Sequence, residues 1–364
     1  MAKSVAPTFE SLISEAGKAL EGSRTYSATL RVRIRSLHHV PNADRRLAMT
    51  SGDHPPLLSI CIPTFERPEF LARCIGSIVD GEHPPVGSVE IVVSDNSATR
   101  QSALMLDQLF ARWNGPTRYV HNDPPVTAEQ NFNRCLELGR GRWLLILHDD
   151  DSLASGATPI LEGMAAARPE DEVLLFGVNI VDENGCRIKT QHFLESLRLA
   201  PAEALKRVLT NSSWVRFPAL VARRSAYDGV GDFDADIKNP TDLDMWVRLF
   251  ARYGVLCLPQ ISANYTIHSG ALTEGMFRPE TIKRLEVIFE RAASTGLLSE
   301  TELRNCKAAL FHQFILAGAW RRLKVLDRRG AKQVMHLFAD DQVRAAGLSK
   351  RWLPVRAVLR TLTI

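Results

Sequence analysis

Asp149, Asp150 and Asp151 stand side by side directly after a short apolar run, Trp143 to Leu147, and His148. Three adjacent carboxylates repel one another, and each loses hydration on burial. A hard divalent cation removes both penalties. Mg²⁺ or Mn²⁺ is commonly held by one or two carboxylates, with substrate phosphate oxygens in the rest of its shell. A solvated acidic turn is the other reading of a bare triplet, because surface carboxylates are the default. The context narrows the choice. A four- or five-residue apolar run suits a strand buried on both faces of a parallel sheet. The triplet then lies at the C-terminal end of that strand, where open α/β sheets bind ligands.

Two upstream segments aim polar residues at the same edge. Leu58 to Pro68 (LSICIPTFERP) reads as a buried strand broken at Pro63, which has no N–H for a central ladder. Val89 to Ser97 (VEIVVSDNS) is a β-branched strand ending in a polar cluster that contains Asp95. Between them Phe70, Leu71, Cys74, Ile75, Ile78 and Val79 recur at helical spacing. Strand, helix and strand make a βαβ unit with a right-handed crossover. Pro63 and Thr64, Asp95, and the acidic triplet thus emerge on one rim.

The rest of the chain bounds the possibilities. Its 364 residues are 45% hydrophobic and 24% charged, enough for one large α/β domain with additions. A formal charge of +4 is too small to argue for a nucleic-acid partner. Six scattered cysteines with no CxxC pair argue against a disulfide framework or zinc site and for a reducing, cytoplasmic setting. No apolar h-region opens the chain, and no apolar run reaches the ~18 residues of a membrane span. Three parts are expected. Residues 1–56 form a helical and basic extension with Phe9, Leu12, Ile13, Ala16 and Leu20 at helical spacing, then a linker. Residues 57–275 form the catalytic domain, and 276–364 a helical region.

Four segments in order, SICIPTFERPEFLARCIGSI, EIVVSDNSA, NFNRCLELGRGRWLLILHDDD and GDFDADIKNPTDLDMWVRLFARYGVLCLPQISANYTIHSGALT, resemble the family 2 glycosyltransferases. The resemblance spans Leu57 to Thr273. It implies a GT-A fold: α/β, Rossmann-like, a mostly parallel central sheet flanked by helices, here with helical N- and C-terminal additions. It implies a hexosyltransferase that takes a nucleotide-sugar donor, UDP- or dTDP-type, and a glycan, glycolipid or natural-product acceptor. The loop Pro63, Thr64, Phe65, Glu66 and Arg67 is expected to cup the donor nucleotide, with Glu66 where relatives often carry Asn. Asp95 is expected to accept a base imide N–H, and Asn131 and Arg134 to lie near the donor. The triplet fits the Asp-x-Asp pattern in more than one register. The expectation is Asp149 on the ribose, Asp150 or Asp151 on the metal with His268, and His148 as a packed neighbour.

The same resemblance assigns the base. Thr241 to Arg248 (TDLDMWVR) is similar to the family's acidic segment, with Asp242 at the position of the general base. Thr241 is expected to N-cap the helix. Asp242 and Asp244 cannot share a helix face, so the second is expected to pair with Arg248 four residues on. Asp242 would take the acceptor proton during a single inverting displacement. A sugar nucleotidyltransferase would want a glycine-rich phosphate loop after the first strand. A glycoside hydrolase would lack the nucleotide loop, and a non-catalytic scaffold on this fold would be expected to have lost carboxylates. The tail 348–364 is basic, with Trp352, Leu353, Val355, Val358, Leu359 and Leu362. That composition suits either a last packed helix or a peripheral contact at the inner face of a membrane.

Overall fold

The computed structural model describes residues 55–168, 170–268 and 275–363. Residues 1–54 of the helical and basic extension expected in 1–56, and residues 269–274, lie outside the described residues. The elements alternate as a doubly wound domain requires. They are β1 (Leu58–Thr64), α1 (Pro68–Val79), β2 (Val89–Asp95), α2 (Ala103–Phe110), β3 (Thr117–His121), α3 (Ala128–Leu138), β4 (Trp143–Ile146), β5 (Ser152–Leu153) and α4 (Ala157–Ala166). Next come β6 (Val173–Asp182), β7 (Arg187–Gln191), β8 (Leu197–Leu199), α5 (Pro201–Thr210), β9 (Leu220–Arg223), α6 (Arg224–Val230), α7 (Thr241–Tyr253) and β10 (Val255–Ile267). Helices α8 (Pro279–Ser294), α9 (Glu300–Lys324), α10 (Arg328–Met335), α11 (Asp341–Ala346) and α12 (Leu353–Leu362) complete the C-terminal region.

One ten-stranded sheet runs through the molecule in the order β3-β2-β1-β4-β9-β6-β10-β5, with β7 beside β6 and β8 beside β10. The half from β3 to β4 is parallel. Beyond it β9 runs antiparallel to both β4 and β6, and β10 returns parallel to β6. Every residue of β1, β2 and β4 is buried, because helices cover both faces. Pro63 does not break β1. The strand continues to Thr64, opposite Asp95, while pairing with β4 covers only Leu58 to Cys61. Pro63 therefore sits past the last rung on the β4 side, where no ladder N–H is needed.

A buried carboxylate fixes the approach to β4. Glu90 in β2 is 1% exposed. It accepts hydrogen bonds from Ser59 Oγ and from the backbone N–H groups of Arg140 and Gly141. Residue 141 must be glycine, because a Cβ there would lie 2.5 Å from the Ser59 nitrogen. Arg140 adds an ion pair at 3.6 Å. The loop that launches the acidic strand is thus tied to both β1 and β2.

The C-terminal helices pack on the α/β region through a continuous core that includes Ile282, Leu285, Phe289, Phe311 and Ile315. A serine–glutamate box caps α9, Ser299 receiving the Glu302 N–H and Glu302 reaching back to Ser299. The tail departs from a single apolar face. Trp352, Val355 and Leu359 are buried in the bundle, whereas Leu353, Val358 and Leu362 are 40%, 49% and 48% exposed. Among the described residues no helix is long and apolar enough to cross a membrane. All six cysteines are free thiols.

Replacing Glu90 by Ala would leave the Arg140 N–H and the Ser59 hydroxyl without their acceptor, while the Gly141 N–H keeps Ser59 Oγ at 2.7 Å. The expected loss is about 2–4 kcal/mol, read as a lower urea midpoint. A loss below ~0.5 kcal/mol would show that the loop holds itself.

Candidate active site at the strand ends

The fold gathers the acidic triplet just beyond β4, facing the end of β1 on one side and the end of β10 on the other. Each carboxylate has its own partner. Asp149 accepts from Thr64 Oγ1 at 2.7 Å and lies 3.6 Å from Arg67 Nη1. Asp150 pairs with the same guanidinium at 2.9 Å and with His268 Nε2 at 2.9 Å. Asp151 accepts the Thr266 backbone N–H at 2.8 Å. Asp149 and Asp151 are buried.

Their protonation follows from burial and mutual charge. Burial, then the charge of Asp150, push the Asp149 carboxyl up to about 6. Burial and the Asp150 charge likewise raise Asp151 well above the usual carboxylate range. Asp150 goes the other way. Burial opposes its ionisation, but the charge of His148, the His268 hydrogen bond and the Arg67 guanidinium outweigh it.

His148 is packed, as expected, and more. Its ring stacks on Phe132 at 5.4 Å between centroids and meets Phe217 at 4.5 Å. Burial lowers its pKa. Its Nε2 is buried without a hydrogen-bond partner. One ligand atom each from His148, Asp150 and Asp151 lie within 4.8 Å of one another. An imidazole with an unpaired nitrogen beside two carboxylates fits a divalent cation. His268 contacts Asp150, and its ring lies 5.2 Å from that of Phe70.

The first loop is tied down rather than open. Glu66 takes a left-handed φ of 55°, a conformation that costs a non-glycine residue about 1 kcal/mol and that Asn tolerates better. Here Glu66 accepts the Ala98 N–H at 2.6 Å and the Gln101 amide at 3.3 Å, while its own N–H donates to Ser97 Oγ. Phe65 is 56% exposed beside it. Asp95 is fully buried under this junction. One of its oxygens accepts the Ser97 N–H and the other the Tyr119 hydroxyl, whose proton is held firmly by burial and by Asp95 itself. Asn131 is also buried. It donates to the Thr64 carbonyl and accepts from Asn122, so it braces the end of β1. Arg134 pairs with Glu137 on the exposed side of α3.

Asp242 faces a cavity of about 200 Å³ that also reaches Asp150 and Asp151. Its other walls include Phe132, Arg216, Phe217, Lys238, Trp246 and Tyr265. Burial raises the Asp242 carboxyl above its usual value, against a hydrogen bond from the Leu243 N–H and the Arg216 charge. Asp244 points the opposite way. It is fully buried and accepts from Arg248 at 2.9 Å and from Arg291 of α8 at 2.7 Å. Thr241 does not cap α7. Pro240 holds the cap position, Thr241 is the first helical residue, and its hydroxyl is buried without a partner.

Sequence reasoning overlooked Arg216, Phe217 and Tyr265. Arg216 lies 4.7 Å over the Tyr265 ring, and its Nε has no hydrogen-bond partner. Its segment reads Trp214-Val-Arg-Phe-Pro218, two short 3₁₀ turns with no periodicity to flag them. Trp246 stood inside a quoted motif, but only its edge-on contact with Phe217 at 5.8 Å gives it a place in the wall.

This sheet and rim have the α/β architecture of the GT-A fold. The profile of glycosyl transferase family 2 matches residues 59–230. An uncharacterized protein of Mycobacterium tuberculosis is 29% identical over 218 residues, 56% of this chain and 65% of that protein. The abequosyltransferase RfbV of Salmonella typhimurium is 33% identical over 106 residues, 29% of this chain and 32% of the relative. The alignments thus span less than two thirds of either relative. A PGL/p-HBAD biosynthesis glycosyltransferase of Mycobacterium bovis is 25% identical over 232 residues, 63% of this chain and 84% of the relative. Staphylococcus aureus TarS 1-349 in complex with UDP-GlcNAc shares the fold, with a TM-score of 0.58 and 16% identity, over 84% of this chain and 91% of that one. So does the mannosyltransferase PcManGT of Pyrobaculum calidifontis, in complex with GDP-Man and Mn²⁺, at 0.50 and 15%, over 85% and 79%.

The Asp149 carboxyl makes a prediction about the metal-free protein. Its folded pKa, about 6, lies above its unfolded value. Its contribution to stability is therefore fully present below the unfolded pKa and is lost as pH rises through about 6. In EDTA, Asp149→Asn should melt higher than the wild type near pH ~7, by roughly 2 kcal/mol. The gain should vanish near pH ~4. A gain of the same size at both pH values would show that charge repulsion is not its source.

Proposed function

We propose that this protein transfers a sugar from a UDP- or dTDP-sugar to an acceptor hydroxyl, with inversion at the anomeric carbon. The carrying observation is one cavity that holds Asp242 at one wall and Asp150 and Asp151 at another. A carboxylate of raised pKa is a competent general base, because it binds the acceptor proton better than an exposed one. Asp242 orients the acceptor hydroxyl and takes its proton as the new C–O bond forms. The nucleoside diphosphate departs on the opposite side of the anomeric carbon. Because only one displacement occurs, no protein nucleophile is required.

Mg²⁺ or Mn²⁺ fits Asp150 and Asp151 with His148, and when bound supplies Lewis-acid stabilisation to the diphosphate. We assign His268 to orienting Asp150, a role in which a ring N–H fixes a ligating carboxylate. Arg67 and Arg216 add positive charge at the two flanks. Asp149 is assigned to the ribose, and the loop from Pro63 to Arg67 to the nucleotide. Asp95 lies beneath the latch from Glu66 to Ala98, so a base reaches it only when that latch opens; Asn131 and Tyr119 brace the pocket. UDP and UDP-GlcNAc bound to TarS, and GDP-Man with Mn²⁺ bound to PcManGT, support a nucleotide-sugar donor and a divalent ion. A Campylobacter jejuni relative is a glucosyltransferase of GalNAc(5)-diNAcBac-PP-undecaprenol. Together with the aromatic cavity wall, it supports a glycan or glycolipid acceptor, met at the cytoplasmic face of a membrane.

A panel of nucleotide sugars scored by nucleoside diphosphate release tests the reading; no release from any donor, with or without Mn²⁺, would overturn it. Asp242→Asn should leave nucleotide affinity within about twofold and lower kcat by a hundredfold or more, roughly 3 kcal/mol of transition-state stabilisation. The wild-type rate should fall as pH drops through a value above the ordinary carboxylate range, since the base must be ionised. Asp244→Asn should instead lower the melting temperature, by freeing Arg248 and Arg291, with kcat little changed. A dead Asp244 variant beside an active Asp242 variant would reverse the assignment.

The metal has a separate test. EDTA should abolish turnover and Mn²⁺ restore it, and Asp150→Asn or Asp151→Asn should each lower kcat a hundredfold or more. Full activity in EDTA would remove the metal from the mechanism.

A further inference from the structure

The charge of this chain is segregated. Residues 321–364 carry eleven Lys or Arg against three Asp, a formal +8 (eleven less three), although the whole chain is only +4. The basic residues are spread over the end of α9, α10, and the tail from Lys350 to Arg360. Apolar side chains exposed to solvent occur in the same region. At the end of α9, Val325 is 69% and Leu326 88% exposed. Leu326 also holds a φ of 61°, a left-handed conformation that disfavours a branched side chain. Both folding stability and solubility therefore act against leucine at this tip. Arg321, Arg322 and Lys324 precede it, and Arg328 and Arg329 follow. On α12, Leu353, Val358 and Leu362 face outward between Arg351, Arg356 and Arg360.

We infer that the α9–α10 tip and the outer face of α12 form a docking surface for an anionic lipid bilayer. Exposed leucine and valine enter the acyl boundary while the surrounding guanidinium and ammonium groups meet lipid phosphates. The two patches belong to neighbouring elements, since α12 packs on both α9 and α10. The tip also borders a second cavity. This cavity, of about 590 Å³, is walled by Arg322 and Asp327, on either side of Val325 and Leu326, and by Phe277 and Arg278. Met276, adjacent to Phe277 in the chain, lines the cavity that holds Asp242. A bilayer at the tip would present its headgroup layer beside the larger cavity. Docking deepens the glycolipid-acceptor reading but is measurable without turnover.

Co-sedimentation of the full chain with phosphatidylcholine vesicles, with and without phosphatidylglycerol, tests the surface. Truncation at Gly347 is unsuitable, because it removes the buried Trp352, Val355 and Leu359. The variants are Val325→Ser with Leu326→Asp, and Val358→Glu with Leu362→Glu, all at exposed positions. The chain should sediment with the anionic vesicles only, and raised salt should release it. Each double variant should weaken partitioning by about tenfold or more, with its melting temperature and donor hydrolysis in vesicle-free buffer unchanged. Equal partitioning of wild type and both variants would overturn the proposal. So would a change of oligomeric state by light scattering in either variant, which would make the patch a contact between copies. Binding with normal affinity alongside absent donor hydrolysis would retain the docking surface and overturn the enzymatic reading instead.

Discussion

The constraint on which the site depends is the burial of three neighbouring carboxylates at the end of β4. Isolated, such a cluster would unfold the strand end or neutralise itself by taking up protons. The fold answers each charge from a different element. Thr64 closes β1 over Asp149, the backbone at Thr266 in β10 donates to Asp151, and Arg67 and His268 converge on Asp150. Removing β10 from this position would take away two of those contacts at once. The long bulged strand is therefore as much a part of the acidic centre as the triplet itself. The result is a site whose charge repulsion is relieved either by protonation, as the raised Asp149 and Asp151 carboxyls show, or by a ligand that brings positive charge.

A second pair of carboxylates shows how one helix separates structure from chemistry. Asp242 and Asp244 are two residues apart, so the helical turn sends them to different sides. Asp244 receives two guanidinium groups and is fully enclosed. One of them, Arg291, belongs to α8 and also pairs with Asp234. That network clamps α7 between the catalytic sheet and the C-terminal helices. Asp242 has no such partner; its hydrogen bond comes from the adjacent backbone N–H. The rigidity of α7 is thus set by one carboxylate, which leaves the other oriented and poorly solvated.

Much of this was legible in the sequence, for reasons that differ by residue. The β1–α1–β2 unit and β4 could be read because a buried parallel strand is a run of apolar residues, and the helix between them has its own period. Asp149, Asp150 and Asp151 could be named because the chain brings them to a strand end, a topological property, whereas His268 was named from the family resemblance. The partner of Asp244 followed from helical spacing alone. Pro63 was misread because the ladder on its free side ends two residues earlier, a register that sequence does not carry. Thr241 was misread as a cap because the helix starts one residue sooner, at the Asn239–Pro240 corner. Glu66 bridges to Ala98 and Gln101, more than thirty residues away, and no local pattern reports such a contact. Arg216, Phe217 and Tyr265 meet only in three dimensions.

The C-terminal helices are more than an appendage to the sheet. Phe277 is seated against Gly318 of α9, where a Cβ would lie 2.4 Å from its ring, and packs on Phe314 at 4.9 Å. Glycine at 318 is therefore what lets the aromatic ring approach the helix axis. The neighbouring Met276 is held in the wall of the reaction cavity by that same anchor. Arg291 pins α8 to α7 on the other side of the cavity. The space beside Asp242 is walled about equally from both parts of the chain. Phe132, His148 and Phe217 lie within the stretch the family profile covers, and Trp246, Tyr265 and Met276 beyond it. Its shape therefore depends on the anchored C-terminal region as well as on the sheet.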